Sequence, residues 1–260
     1  MAQCASPAHV ERAQSPKPPP ELNPLRTQEE NCIGITIDKK YYSLVGQDGA
    51  SRFIKRSLTE AEWAIRHRDK QTIPASCDVA AHIRNEAAAI AFVRSHTNVP
   101  VPNVICSFDD GGRTYLIEDE APGVMMVDLP NEKKAIVSQE VEAHIRTLQS
   151  VKGTAMGGFC GVACLPYRLA LALPKGEKVD FKADVPYDLV LCHNDISQHN
   201  VIVDPESLKI TAIIDWEFAG FYPKEFEGWF YKRPGPSVAR GEEVDDVPEL
   251  LKIVEACRAA

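Results

Sequence analysis

The chain has 260 residues, 44% of them apolar, enough to bury the core of one large domain or of two modest lobes. Its 37 acidic and 29 basic residues leave a net charge of −8, which argues against general nucleic-acid binding, a task that needs a basic face. No run approaches membrane-spanning length, and the opening MAQCASPAHVERAQ lacks the apolar core of a signal peptide, so a cytoplasmic chain with no membrane partner is expected. Eight cysteines are scattered; only Cys160 and Cys164 are close, and no zinc pattern is completed, as expected of reduced structural thiols.

Residues 1–30 are rich in proline and polar residues and are expected to form a disordered arm, in which KPPP at 17–20 is a candidate polyproline segment. Ile33–Ile37, Tyr41–Val45 and Ser51–Arg56 read as strands, the last two joined by a turn at Gln47-Asp48-Gly49. Strand alternation puts Phe53 and Lys55 on one face and Ile54 and Arg56 on the other. Residues 58–79 read as an insertion with a short helix at 59–67. A strong helix follows over 80–97, carrying Ile83, Ala87, Ile90 and Ala91 at helical spacing. Ile105–Phe108 and Thr114–Glu118 read as two further strands around the turn at Asp109–Gly112.

The character changes after Gly123, placing a boundary near 119–124 between a lobe at 31–120 and a second at 121–260. The second lobe opens with an amphipathic helix at 131–151, whose apolar stripe is Ile136, Val137, Val141, Ile145 and Leu148. A glycine-rich segment at 153–164 and a loop at 166–178 follow. The last helix is expected within 243–257, entered through Pro248.

The chemistry concentrates between Leu189 and Phe218. The apolar run Leu189–Cys192 ends in His193-Asn194-Asp195, where a carboxylate can accept a hydrogen bond from a substrate hydroxyl and orient it. Asn200 offers a neutral oxygen suited to Mg²⁺. Val201–Val203 and Leu208–Ile214 form a hairpin that returns Asp215 towards Asn200, so that the two can share a metal. Such a set meets the needs of phosphoryl transfer from a magnesium–nucleotide complex.

His193-x-Asp195-x4-Asn200, followed by Ile213-Ile214-Asp215-Trp216-Glu217, resembles the aminoglycoside phosphotransferase and choline kinase family, and within it the fungal phosphotransferase-domain proteins most of all. The resemblance implies a bilobal α+β fold of the protein kinase-like type, with an N-terminal antiparallel sheet plus helix and a mainly helical C-terminal lobe. It implies an ATP- and Mg²⁺-dependent phosphotransferase acting on a small-molecule hydroxyl. Asp195 would orient the acceptor, Asn200 and Asp215 would hold Mg²⁺, and His193 would brace the loop. Lys55 would contact the nucleotide phosphates and pair with Glu86, while the linker Glu118, Asp119, Glu120 and Ala121 would meet the base through its backbone. Gln198 and His199 face either substrate or solvent. No G-x-G-x-x-G loop precedes Lys55, and Asn194 stands where many relatives carry glycine. Two alternatives stay open: a kinase-like module that binds without turnover, and a protein kinase, although no activation segment follows Asp215.

Overall fold

The computed structural model describes residues 23, 27–66, 68–73, 79–174 and 177–259. Most of the proline-rich arm, including 17–20, lies outside the described residues. Its last part does not hang free: Glu29 pairs with Lys40 at 2.8 Å and with Arg56 at 3.0 Å.

The first half is an antiparallel sheet built from β1 (Cys32–Ile35), β2 (Lys39–Val45), β3 (Ser51–Ser57), β6 (Val104–Asp110) and β7 (Arg113–Asp119), in the order β1-β2-β3-β7-β6. Gly49 takes φ +77° in the turn between β2 and β3, a conformation that glycine adopts without steric cost. The expected helix over 59–67 is absent. Only Glu60–Glu62 make a single helical turn, and the short hairpin β4 (Ala64–Ile65) and β5 (Thr72–Ile73) follows. Glu62 caps the start of that turn through the Thr59 N–H and pairs with Arg56, and the turn ends where the chain goes extended at Trp63 and Ala64–Ile65 spend their backbone bonds on Thr72–Ile73. Arg56 thus belongs to an outer-face network with Lys40, Glu29 and Glu62, separate from that of Lys55.

Helix α1 (Val79–His96) joins the two halves. Val79 and Ile83 near its start pack with Leu116 of the sheet. Ala89, Ile90 and Val93 near its end enter the core of the second half beside Val137, Val141, Leu191 and Trp216. Between these patches Asn85 is fully buried and fastens the helix. Its Nδ2 donates to the carbonyls of Glu217 and Ala219, and its Oδ1 accepts from the N–H of Phe159 and Cys160.

The second half contains β8 (Val124–Met125), α2 (Asn131–Ser150), β9 (Gly157–Gly158), α3 (Tyr167–Ala172), β10 (Leu189–Cys192), β11 (Val201–Val203), β12 (Ile210–Ile213), β13 (Gly220–Pro223) and α4 (Val247–Cys257). Its strands form two small sheets, β10-β13-β9 and β12-β11-β8. On α2, Val137, Val141 and Leu148 are buried, but Ile136 is 55% exposed and falls outside the stripe. The expected loop at 166–178 is corrected at its start by α3, which Arg168 anchors through Asp246 and the Phe226 carbonyl.

The link between the halves is steric as well as covalent. Gly123 has φ +131°, and a Cβ there would lie 2.4 Å from the Val203 carbonyl oxygen. Gly123→Ala is therefore expected to cost roughly 1–3 kcal/mol, because both the backbone conformation and the contact become strained. Urea unfolding checks this; an unchanged midpoint would contradict it.

Candidate active site

Strand β3 delivers Lys55 to the inner face of the sheet, next to α1. Its Nζ lies 2.8 and 2.7 Å from the two Glu86 oxygens and 2.5 Å from Asp215 Oδ1. Lys55 and Glu86 are both buried, with side-chain exposures of 4% and 1%. Burial opposes the Lys55 charge, but Asp215 and Glu86 overcome it and raise the ammonium well above its ordinary value. Burial likewise works against ionisation of Asp215, yet Lys55 and Lys39 hold that carboxyl at about 2.

Between β10 and β11 the chain folds into a tight loop. Asn194 takes φ +72°, a left-handed conformation that asparagine tolerates better than other non-glycine residues, so glycine is not required there. The His193 ring braces the loop. Its Nδ1 accepts from the Asp195 N–H at 3.2 Å, its Nε2 donates to the Ile214 carbonyl at 3.0 Å, and the ring packs on Trp216. Burial lowers its pKa to about 4, so the ring is neutral. Asn200 donates from Nδ2 to the Asp195 carbonyl at 2.8 Å and to its carboxylate at 3.1 Å. The β11–β12 pairing brings the Ile214 N–H to the Asn200 carbonyl at 3.0 Å, so Asp215 follows directly beside Asn200. Asp215 itself takes φ +68°. Burial, with the Asp215 charge, lifts the Asp195 carboxyl to about 7. Gln198 is buried and donates to the Tyr231 carbonyl, whereas His199 is exposed.

Lys55, Glu86, Asp195, Asn200 and Asp215 thus converge. Glu118 stands opposite Phe53 in the sheet, so its side chain shares the inner face with Lys55; it is buried, and its Oε2 has no hydrogen-bond partner. In the linker beyond it, the Asp119 and Glu120 N–H groups are spent on the carbonyls of Asn103 and Ser51.

Several residues at the site are not expected from sequence. Lys39 reaches both oxygens of Glu217, at 2.7 and 2.5 Å, and ties the start of β2 to the turn after Asp215. Alternation was the available signal: Tyr41 is paired with Lys55 in the ladder, so Lys39, two residues before it, shares that face. Glu227 accepts the N–H groups of His193 and Asn194 through Oε2, at 2.6 and 3.1 Å. Ser237 is 3% exposed, and its buried hydroxyl has no hydrogen-bond partner among the described residues. Neither Glu227 nor Ser237 carries a local signal. A separate cavity of about 500 Å³, lined by Phe92, Phe159, Phe181, Phe221 and the glycine-rich segment, contains none of the converging side chains.

Comparison with known proteins places this geometry in context. The model of a family described as the phosphotransferase enzyme family matches residues 44–242. An aminoglycoside 3'-phosphotransferase of Streptomyces ribosidificus is 26% identical over 154 residues, covering 52% of this chain and 58% of the relative. The match thus spans less than two thirds of that protein. Among solved structures, an aminoglycoside-3'-phosphotransferase of type VIII superposes with a TM-score of 0.51 at 18% identity, over 75% of this chain and 74% of the other. A thermostable mutant of the aminoglycoside phosphotransferase APH(4)-Ia, in ternary complex with AMP-PNP and hygromycin B, superposes with the same score at 20% identity, over 75% and 68%. The shared fold is bilobal and α+β, of the kinase-like type.

Proposed function

The chain belongs to the phosphotransferase enzyme family, and on that premise we propose that it transfers the γ-phosphate of ATP to a hydroxyl group of a small molecule. The observation that carries this reading is the convergence of a buried, ion-paired Lys55 with Asp195, Asn200 and Asp215 from the other half of the chain. Lys55 supplies a fixed positive charge for the nucleotide phosphates, and Glu86 holds it in place. The base lies along the linker at 118–121, where the Asp119 and Glu120 N–H groups are bonded to the Asn103 and Ser51 carbonyls. Asp195 accepts a hydrogen bond from the acceptor hydroxyl and turns its oxygen towards the phosphorus.

The donor set also suits Mg²⁺. Asn200 has committed its Nδ2 to Asp195, which leaves the amide oxygen for a cation. Asp215 is ionised and stands in the adjoining turn. Hard oxygen donors of this kind fit magnesium, and Asn200 and Asp215 would hold it. When bound, the ion would neutralise charge on the transferring phosphoryl group.

The test is a screen of small hydroxyl compounds with Mg-ATP, read by mass spectrometry, with Asp195→Ala as the control. We expect one compound class to gain a phosphoryl group with the wild-type protein and none with the variant. Failure of the wild-type protein to bind Mg-ATP would remove the reading.

A further inference from the structure

The glycine-rich segment that follows α2 lies on the flank of α1 and carries two thiols that face each other. Cys160 Sγ lies 4.0 Å from Cys164 Sγ, the distance of two sulfurs that share a hydrogen. Cys164 is fully buried, and its carbonyl accepts the Tyr222 hydroxyl at 3.0 Å, so it is the fixed member. Cys160 is half-buried and borders open space, because a Cβ on the next residue, Gly161, would meet nothing within 4 Å. Cys160 also touches α1 twice. Its Sγ donates to the Ala81 carbonyl at 3.6 Å, and its N–H donates to Asn85 Oδ1 at 3.3 Å. The Phe159 N–H bonds the same oxygen at 2.6 Å. A Cβ on Gly158 would stand 2.6 Å from that oxygen, so the segment lies flush against the amide. Other buried thiols differ. Cys192 Sγ is surrounded by the carbonyls of Val190, Tyr222 and Pro223, and burial pushes both Cys192 and Cys257 up, away from the reactive thiolate.

We propose that Cys160 and Cys164 form a modification site for hydrogen peroxide, which oxidises them to a disulfide that loosens α1. The Cys164 thiol beside it holds Cys160 down, to about 6, so the attacking sulfur is ready as a thiolate. The Cys160 sulfur attacks one peroxide oxygen and the O–O bond breaks. The departing hydroxide takes the proton that the thiol gave up and leaves as water. Cys160 is then a sulfenic acid, oxidised by two electrons as the peroxide is reduced. The Cys164 sulfur next attacks the Cys160 sulfur; the S–S bond forms, the S–O bond breaks, and hydroxide leaves as water with the Cys164 proton. Two thiols and one peroxide thus give one disulfide and two waters. Bonding closes the gap between the sulfurs by about 2 Å. It also consumes the hydrogen that Cys160 gives to Ala81. With Cys164 fixed, Cys160 is drawn away from α1, and its N–H bond to Asn85 is strained. Asn85 precedes Glu86, the partner of Lys55, so the consequence for nucleotide binding rests on the reading above.

The full chain is reduced, treated with hydrogen peroxide and alkylated after unfolding, and its tryptic peptides are mapped by mass spectrometry. The expected result is that the peptide 153–168, which holds both thiols, becomes lighter by two hydrogens and resists alkylation. Dithiothreitol should restore it, and Cys192 and Cys257 should still alkylate. Cys164→Ser should stop at a Cys160 sulfenic acid, trapped by dimedone, and Cys160→Ser should give neither product. ADP binding by the oxidised wild-type chain should weaken about 5- to 10-fold and recover with dithiothreitol. Cys160→Ser, treated in the same way, should bind ADP as before. Peroxide that oxidises the exposed Cys106 and leaves Cys160 a thiol overturns the inference, as does a Cys160 sulfenic acid that never passes to Cys164. A disulfide that forms with no change in ADP binding overturns the coupling to α1. A chain that binds no ADP in either state removes the phosphotransfer reading, while the peptide map still decides the thiol pair.

Discussion

Asp195→Asn is expected to lower kcat by about 10²- to 10⁴-fold, the range for losing a positioned acid–base group, with ADP affinity within a few-fold of wild type. The amide keeps the shape of the side chain and can still accept from Asn200, so the loop braced by His193 and Glu227 should persist. Stability should move the other way. Burial and the Asp215 charge raise the Asp195 carboxyl to about 7 in the native state, against an ordinary value near 3.8. A raised carboxyl contributes stability that is complete below the unfolded pKa and is lost as pH rises through the folded one. In the metal-free protein, the gain in Tm from Asp195→Asn should thus be small near pH 4, grow towards pH 7 and level off above it. Thermal melts across that range check the sign, and a gain independent of pH would contradict it. Higher stability with lost turnover is the trade expected where a site holds a strained charge for chemistry.

The second large effect is expected at Glu86. Glu86→Leu removes the bidentate partner of a buried ammonium and leaves Lys55 with Asp215 alone. Breaking a buried pair by deleting one member costs about 3–5 kcal/mol, and the surviving Asp215 contact sets the expectation near 3. For a chain of this size that corresponds to a fall in Tm on the order of 10 °C. Nucleotide affinity should fall as well, because Lys55 loses the bidentate partner that fixes the position of its ammonium. Lys55→Met together with Glu86→Leu should recover part of the lost stability and none of the affinity. If the double variant is no more stable than Glu86→Leu alone, the cost does not come from an uncompensated charge.

What the sequence made legible follows from where its signals are local. The loop from His193 to Asn200 sits between two apolar runs, and the β11–β12 hairpin can be traced residue by residue to Asp215. Strand alternation assigned Lys55 a face, but its pairing with Glu86 came from the resemblance to the kinase-like family, not from periodicity. Other features depend on contacts with no periodicity. Lys39 meets Glu217 across 178 positions, and Asn85 meets Glu217 across 132. Glu227 reads locally as one acid among several, and only the folded chain brings it onto the amides of His193 and Asn194. The expected helix at 59–67 failed for a similar reason, since Ala64–Ile65 pair instead with Thr72–Ile73 in a short hairpin that the periodicity does not announce.

The buried Asn85 bears on how such a molecule can be controlled. Its amide spends both ends on the second half of the chain: two carbonyls flanking the turn after Asp215 and two N–H groups of the glycine-rich segment. The next residue is Glu86. The helix is therefore riveted one residue from its ion pair, and tilting it would sever all four bonds and expose an amide with no substitute partners. The position of Glu86, and with it the Lys55 ion pair, is thus fixed by the second half of the chain.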